Sequence, residues 1–456
     1  MHIHILGICG TFMGGVAALA RASGVRVTGC DGNVYPPMST QLSELGIDIH
    51  EGFDAAQLEP PPDCVVVGNV MTRGMEVVEA MLDRSVPHTS GPRWLADNVL
   101  RDRHVLAVAG THGKTTTASM LAWILEHAGL APGFLIGGIP KNFGVSARYG
   151  DSEYFIVEAD EYDTAFFDKR AKFVHYGPRT LVLSNLEFDH ADIYKDIDAI
   201  AWQFHQMLRT VPGTGRIILN SADDNLKKVI DMGCWTPVES FGLGTDTDWQ
   251  ARFADAGERR IEMRDPDGEA GDVKWKLGGR HNLENALAAV AAARSAGVTL
   301  PQALEALSCF EGVKRRMERT ATVGDIAIYD DFAHHPTAIR RTLKAMKRRY
   351  PGHRTIVAIE PRSNTMKLGI HDDELASALD EADLVWMYQP ADMHEGFGKS
   401  LAPLGKRLRM FGDYDKLVSD MSGKVLSGDQ VIFMSNGGFG RSRQTLTALL
   451  QRKRGS

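Results

Sequence analysis

Gly110-Thr-His-Gly-Lys-Thr-Thr116 carries the most specific chemistry in this chain. The apolar run Val105–Ala109 before it predicts a buried strand, and Thr115–Ala128 after it has the apolar spacing of a helix. A glycine turn ending in Gly113-Lys114-Thr115 between strand and helix is a phosphate cradle. Backbone N–H groups and the helix N-terminus face the anion, Lys114 neutralises it, and Thr115 offers a hydroxyl to Mg²⁺. The loop is shortened, with Val108 where a GxxxxGK[ST] motif has its first glycine. Gly110, Thr111, His112, Gly113, Lys114, Thr115 and Thr116 are the candidate ATP contacts.

Other chemistry-bearing residues also follow apolar runs. Glu158-Ala-Asp-Glu-Tyr-Asp163 comes after Tyr154–Val157. A carboxylate at a strand end beside a P-loop suits Mg²⁺, and Glu158 lies nearest that end. Asn185-Leu-Glu-Phe-Asp-His190 follows Thr180–Ser184, so His190 is a candidate to bind a metal or orient an attacking group. Asn282 and Asn285 share one face of an alanine-rich helix over Leu283–Ala296. They fit a cap and packing pair or an adenine contact equally well. Gly312-Val-Lys-Arg-Arg-Met317 clusters cations as a phosphate clamp requires, and equally reads as a solvated basic turn. Asp330 and Asp331 end a strand, where an aspartate can bind ribose.

These motifs need a scaffold of alternating strands and helices, which is the α/β class. Three βα starts divide the 456 residues into 1–103, 104–319 and 320–456. The first opens on strand His2–Leu6, a turn Gly7–Gly14, a helix to Ala22 and a strand Val25–Cys30 ending at Asp31. That turn lacks the second glycine of a dinucleotide fingerprint, having Cys9 there; it fits a nucleotide diphosphate without establishing NAD. The second holds the P-loop and a Gly- and Asp-rich stretch, Gly242–Asp272, expected to form hairpins or loops. The third opens on Ile326–Tyr329 and continues through Thr355–Ile359, Leu384–Tyr388 and Gln430–Met434. A net charge of −7 argues against a nucleic-acid partner. Five scattered cysteines without metal spacing, and no apolar run long enough to span a bilayer, suggest a cytoplasmic protein without a membrane partner.

Taken in series, GTHGKTT, EADEYD, NLEFDH, GRHNLENALAA, GVKRRME and DDFAHHP resemble the Mur ligase family over essentially the whole chain. The resemblance implies ATP-dependent amide ligation in peptidoglycan metabolism. It also implies three domains: a Rossmann-like UDP-sugar domain, a central P-loop ATPase and a Rossmann-like C-terminal domain receiving an amino acid or peptide. The N-terminal turn and GTHGKTT are most similar to the branch that uses UDP-N-acetylmuramate. GICGTFMGG, GGIPKNFG, EADEYDTAFFDKR, EPRSNTMKLG and MSNGGFG look like its member that attaches the recycled tripeptide L-alanyl-γ-D-glutamyl-meso-diaminopimelate. The alternative is the member that adds L-alanine. Several Mur ligases carry a carbamoylated lysine beyond the DH motif; Asp196–Asn225 here contains no lysine, in agreement with the muramate-using branch.

The resemblance also implies roles. Lys114 meets the β- and γ-phosphates, Thr115 and Glu158 hold one Mg²⁺, and His190 holds a second. Arg316 stabilises the transferred phosphoryl group, Asn282 reads adenine and Asp331 the ribose. Gly7, Cys9, Gly10, Thr11, Met13, Asp31 and Asn69 are the UDP-sugar candidates, with Lys141 and Asn142 facing the muramoyl group. Arg362, Ser363, Asn364 and Met366 are the peptide candidates, Arg362 as a carboxylate clamp. A folylpolyglutamate synthase would lack the βαβ unit of residues 1–31, and a nucleotide-switched binding protein would not need the later motifs.

Overall fold

The computed structural model describes residues 1–34 and 38–455. Its strands form three large open sheets, in chain order, with helices on their faces. In the first sheet the order is Asp48–Glu51, Arg26–Asp31, His2–Leu6, Cys64–Val67 and His88–Ser90, all parallel. Parallel neighbours need crossovers, and helices Thr11–Ala22 and Glu76–Asp83 supply two of them. The strand order reverses direction around His2–Leu6, which leaves a crevice at its carboxyl end. Gly7 turns the chain there at φ +79°, and a Cβ would sit 2.9 Å from Val70.

The second sheet has ten strands. Its parallel centre runs Arg216–Asn220, Thr180–Leu183, His104–Ala109 and Tyr154–Ala159. Three carboxyl ends therefore open side by side around the P-loop. The stretch after Gly242 does form hairpin strands, Trp249–Phe253, Arg260–Arg264 and Ala270–Lys274, paired antiparallel at one edge. Helices Lys114–His127 and Arg280–Ala293 pack side by side on one face of the sheet, with Leu106, Leu121, Ile124 and Ala289 fully buried. The second helix begins at Arg280, three residues ahead of the expected start, because Gly279 at φ +92° turns the chain into it.

The opposite face of this sheet shares one continuous apolar cluster with the first, including Ile3, Val16, Leu135 and Phe155. Gly15 makes that junction close: a Cβ there would lie 2.2 Å from Leu135. The third sheet is ordered Glu318–Val323, Ile326–Asp331, Gln430–Met434, Thr355–Ile359, Leu384–Tyr388 and Leu408–Phe411. Its first pair is antiparallel and the others are parallel. Strand Glu318–Val323 begins just before the boundary drawn at 319, a basic segment with no strand signal of its own. No helix among the described residues is long and apolar enough to cross a membrane.

His4, in the central strand of the first sheet, is buried between Thr28 and Gln57, at 2.8 and 3.2 Å. Burial pushes its pKa down to about 4. The unfolded chain takes up a proton that the folded chain refuses, so the stabilisation is full above the ordinary value of 6.5 and is lost as pH falls toward 4. Urea unfolding should show a loss of about 2 kcal/mol from this residue by about pH 5. His4→Leu should lack that component; an unchanged pH profile in the variant would refute it.

Candidate active site

The cradle is built by strand His104–Ala109, glycines Gly110 and Gly113 at φ +149° and +83°, and helix Lys114–His127. A Cβ on Gly113 would come within 2.4 Å of the Asn285 side chain, so the Asn285 amide packs under the loop. Asn185 clasps the loop from the neighbouring strand. Its Oδ1 accepts from the His112 N–H at 2.7 Å, and its Nδ2 donates to the His112 carbonyl at 3.0 Å. Thr111 N–H donates to the Asn185 carbonyl, and the Thr111 hydroxyl is bonded to the Glu187 backbone.

Lys114 Nζ donates to the carbonyl of Gly110 at 2.5 Å and to Glu161 Oε2 at 2.8 Å. Burial opposes its charge, but Glu161 overrides that and raises its pKa. The other Glu161 oxygen lies 3.1 Å from His190 Nε2. Burial likewise opposes ionisation of Glu161, which is only 2% exposed, yet Lys114 and His190 hold it down to about 2. The Tyr194 hydroxyl donates to the Glu161 carbonyl and anchors this turn.

Thr115 Oγ1 lies 3.0 Å from Glu158 Oε1, and Arg316 donates to the same hydroxyl at 3.1 Å. The Gly137 N–H holds Glu158 Oε2 at 2.7 Å. Among the described residues no cationic side chain pairs directly with Glu158, and burial raises its pKa. A hydroxyl and a carboxylate oxygen placed together in this way fit Mg²⁺. Arg316 stacks 4.6 Å from the Phe332 ring, which also takes Arg315 at 5.1 Å.

A cavity of about 750 Å³ joins these groups between the second and third sheets. Its lining includes the loop from Thr111 to Thr116, Lys141, Glu158, His190, Asn282, Arg316 and Asp331. Asn282 donates to the Gly278 carbonyl at 2.7 Å, and Asn285 serves packing. Both Asp331 oxygens accept backbone N–H groups, from Met317 and Ala333 at 2.7 Å each, so in this arrangement it pins the Arg316 segment.

Three family models match: Mur ligase family, catalytic domain, at residues 2–103; Mur ligase middle domain at 108–293; and Mur ligase, glutamate ligase domain at 315–437. The chain belongs to the Mur ligase family. It is 53% identical over 457 residues to the UDP-N-acetylmuramate–L-alanyl-γ-D-glutamyl-meso-2,6-diaminoheptandioate ligase of Escherichia coli, covering 99% of both chains. With the UDP-N-acetylmuramate–L-alanine ligase of Desulforapulum autotrophicum identity is 30%, over 98% of both chains. The crystal structure of a murein peptide ligase from Psychrobacter arcticus superposes with a TM-score of 0.77 at 46% identity, covering 99% of each chain.

Outside the cavity, this Mur ligase puts several expected contacts to other uses. The first-domain turn gathers at the crevice: Asp31 accepts from the Cys9 N–H at 2.9 Å, and Gly10 caps the helix that starts at Thr11. Asn69 is half-buried just beyond strand Cys64–Val67. The Met13 side chain is buried in the core against Gly68 and Gly91, so it is a backbone group that faces the turn. The Asn142 amide ties Cys309 to Glu311, while Lys141, which lines the cavity, pairs with Glu318 at 3.1 Å.

In the third domain Met366 is buried in the core and Ser363 accepts from the Met366 N–H. Arg362 is exposed, 3.9 Å from Glu360, and none of these residues lines the cavity. The side chain of Asn364 lies outside the described residues. Sequence reasoning passed over Glu161, Asn185 and Glu187. All three lay inside quoted motifs, but only the adjacency of the strand ends shows what they hold. Replacing Asn185 with Ala removes two hydrogen bonds from the loop, together about 1–3 kcal/mol. Nucleotide titration should show affinity down about 10- to 100-fold with the fold intact; unchanged affinity would discard the clasp.

Proposed function

We propose that this Mur ligase joins L-alanyl-γ-D-glutamyl-meso-diaminopimelate to UDP-N-acetylmuramate, using ATP. The observation that carries the reading is 53% identity, end to end, with a ligase named for that reaction. A carboxylate cannot form an amide directly at useful rate, because oxide is too poor a leaving group. In the proposed course the lactyl carboxylate of the sugar attacks the γ-phosphorus of ATP, and ADP leaves. The free amine of the tripeptide's L-alanine then attacks the acyl carbon. The C–O bond breaks, inorganic phosphate departs and the amine proton is lost.

In this reading residues 1–103 take the UDP-sugar, 104–319 the ATP and 320–456 the peptide. Lys114 exchanges Glu161 for the β- and γ-phosphates. Thr115 and Glu158 would hold Mg²⁺, which neutralises charge on the phosphates, with His190 as donor at a second position. There the chain offers Glu161 beside His190, at 3.1 Å. Arg316, 3.1 Å from Thr115, stands where charge on the moving phosphoryl group can be met. The third domain closes the cavity against water, which would otherwise hydrolyse the acyl phosphate. Supply of ATP and five free cysteines favour the cytoplasm as its place of work.

Phosphate release should require UDP-N-acetylmuramate and peptide together. With L-alanine, tripeptide and tetrapeptide compared side by side, a strong preference for L-alanine would overturn the assignment. Lys114→Ala should lower kcat at least on the order of 10²–10³-fold; near wild-type turnover would remove Lys114 from the chemistry.

A further inference from the structure

A second cluster of ligand-bearing side chains lies beside the cradle, where His112 and His335 line the same cavity as Glu158. His112, Glu187 and His335 bring one donor atom each to within 4.8 Å of one another. Three separate segments supply them: the P-loop, the stretch after strand Thr180–Leu183, and the residue capping helix Pro336–Arg349 of the third domain. His112 Nε2 is 3.4 Å from Glu187 Oε2, and His335 Nδ1 is 3.8 Å from the same oxygen. The two rings lie 4.6 Å apart.

The cluster is not satisfied as it stands. Nε2 of His335, only 5% exposed, is buried without a hydrogen-bond partner, and Nε2 of His112 has only the Glu187 oxygen at 3.4 Å. On the far side of the His335 ring, His371 packs edge-on at 4.4 Å, and its own buried Nε2 is also unpartnered. An ion would meet the His112 nitrogen and His335 Nδ1; the unpartnered Nε2 atoms of His335 and His371 are not among its donors. Burial holds His335 neutral, down to about 3, which is the form that coordinates metal. Glu187 is held ionised at about 2: burial opposes it, but His112 outweighs that. Two imidazole nitrogens and one carboxylate oxygen make up the donor set.

We propose that His112, Glu187 and His335 form a binding site for a borderline-soft divalent ion of the Zn²⁺ or Co²⁺ type, separate from the Mg²⁺ position at Thr115 and Glu158. Donors at about 2.0–2.2 Å from a tetrahedral ion stand about 3.3–3.5 Å from each other; the two histidine–Glu187 separations are 3.4 and 3.8 Å, and all three donors lie within 4.8 Å, so the ion would draw them together. Imidazole nitrogen favours such ions over Mg²⁺, which seeks oxygen. Ligation through His335 Nδ1 replaces only its long 3.2 Å contact with the Thr337 N–H. No proton need leave the three residues. The Thr337 hydroxyl already orients Glu187 from the third domain at 2.7 Å. An ion here would staple the P-loop to the domain that covers the cavity.

The test is a Co²⁺ titration of the full chain near neutral pH, without nucleotide and with excess Mg²⁺ to occupy oxygen sites. One equivalent should bind, with the visible absorption of a four- or five-coordinate nitrogen and oxygen site, and Zn²⁺ should displace it. Glu187→Gln and His335→Ala should each weaken binding at least about tenfold. Glu187→Gln keeps the side chain's volume and its acceptor for Thr337, and unchanged circular dichroism separates lost ligation from lost folding. His190→Ala should bind like the wild type. Absence of stoichiometric binding, a thiolate charge-transfer band, full binding in Glu187→Gln and His335→Ala, or loss confined to His190→Ala would each overturn the proposal.

Discussion

A cation must be kept charged inside a cavity before any anion arrives there. Lys114 meets that constraint by pairing with Glu161, at 2.8 Å and almost without solvent. Breaking a buried pair strands a charge, so each partner fixes the other's ionisation and position. The carboxylate is also tied to His190, and its carbonyl to Tyr194. The site therefore has a defined shape, with a carboxylate holding the lysine of the cradle. Exchange of one anion for another leaves the charge balance of the buried lysine intact.

The same economy organises the domain junction. Arg316 comes from the segment linking the second and third sheets, and its position is set by Asp331 through the Met317 N–H. Thr337 reaches Glu187 and Thr365 reaches Asp189, at 2.7 and 2.9 Å, so the third domain is bonded to the loop that carries His190. A shift of that domain must move or break contacts beside the P-loop. Binding of substrates on either side can thus bias one shared arrangement.

Much of this was legible in the residues. The cradle, its strand and its helix are local features, since glycine turns and apolar spacing act over a few residues. Glu158 was readable for the same reason, as a carboxylate at a strand end. Glu161, Asn185 and Glu187 were not, because their partners come from strand order: Thr180–Leu183 lies on one side of His104–Ala109 and Tyr154–Ala159 on the other. Adjacency to a ligand loop does not say which way a side chain turns, and Met13 and Met366 fill core positions. A polar residue beside a glycine turn can close the chain on itself, as the Asn142 amide does.

The central claim is that the γ-phosphate passes to a carboxylate before the amide forms. UDP-N-acetylmuramate labelled with ¹⁸O in its lactyl carboxylate tests it most directly. Turnover with ATP and tripeptide, followed by mass spectrometry of the released inorganic phosphate, should find one labelled oxygen per phosphate, transferred when the acyl C–O bond breaks. Phosphate carrying no label, with amide product formed, would contradict the account.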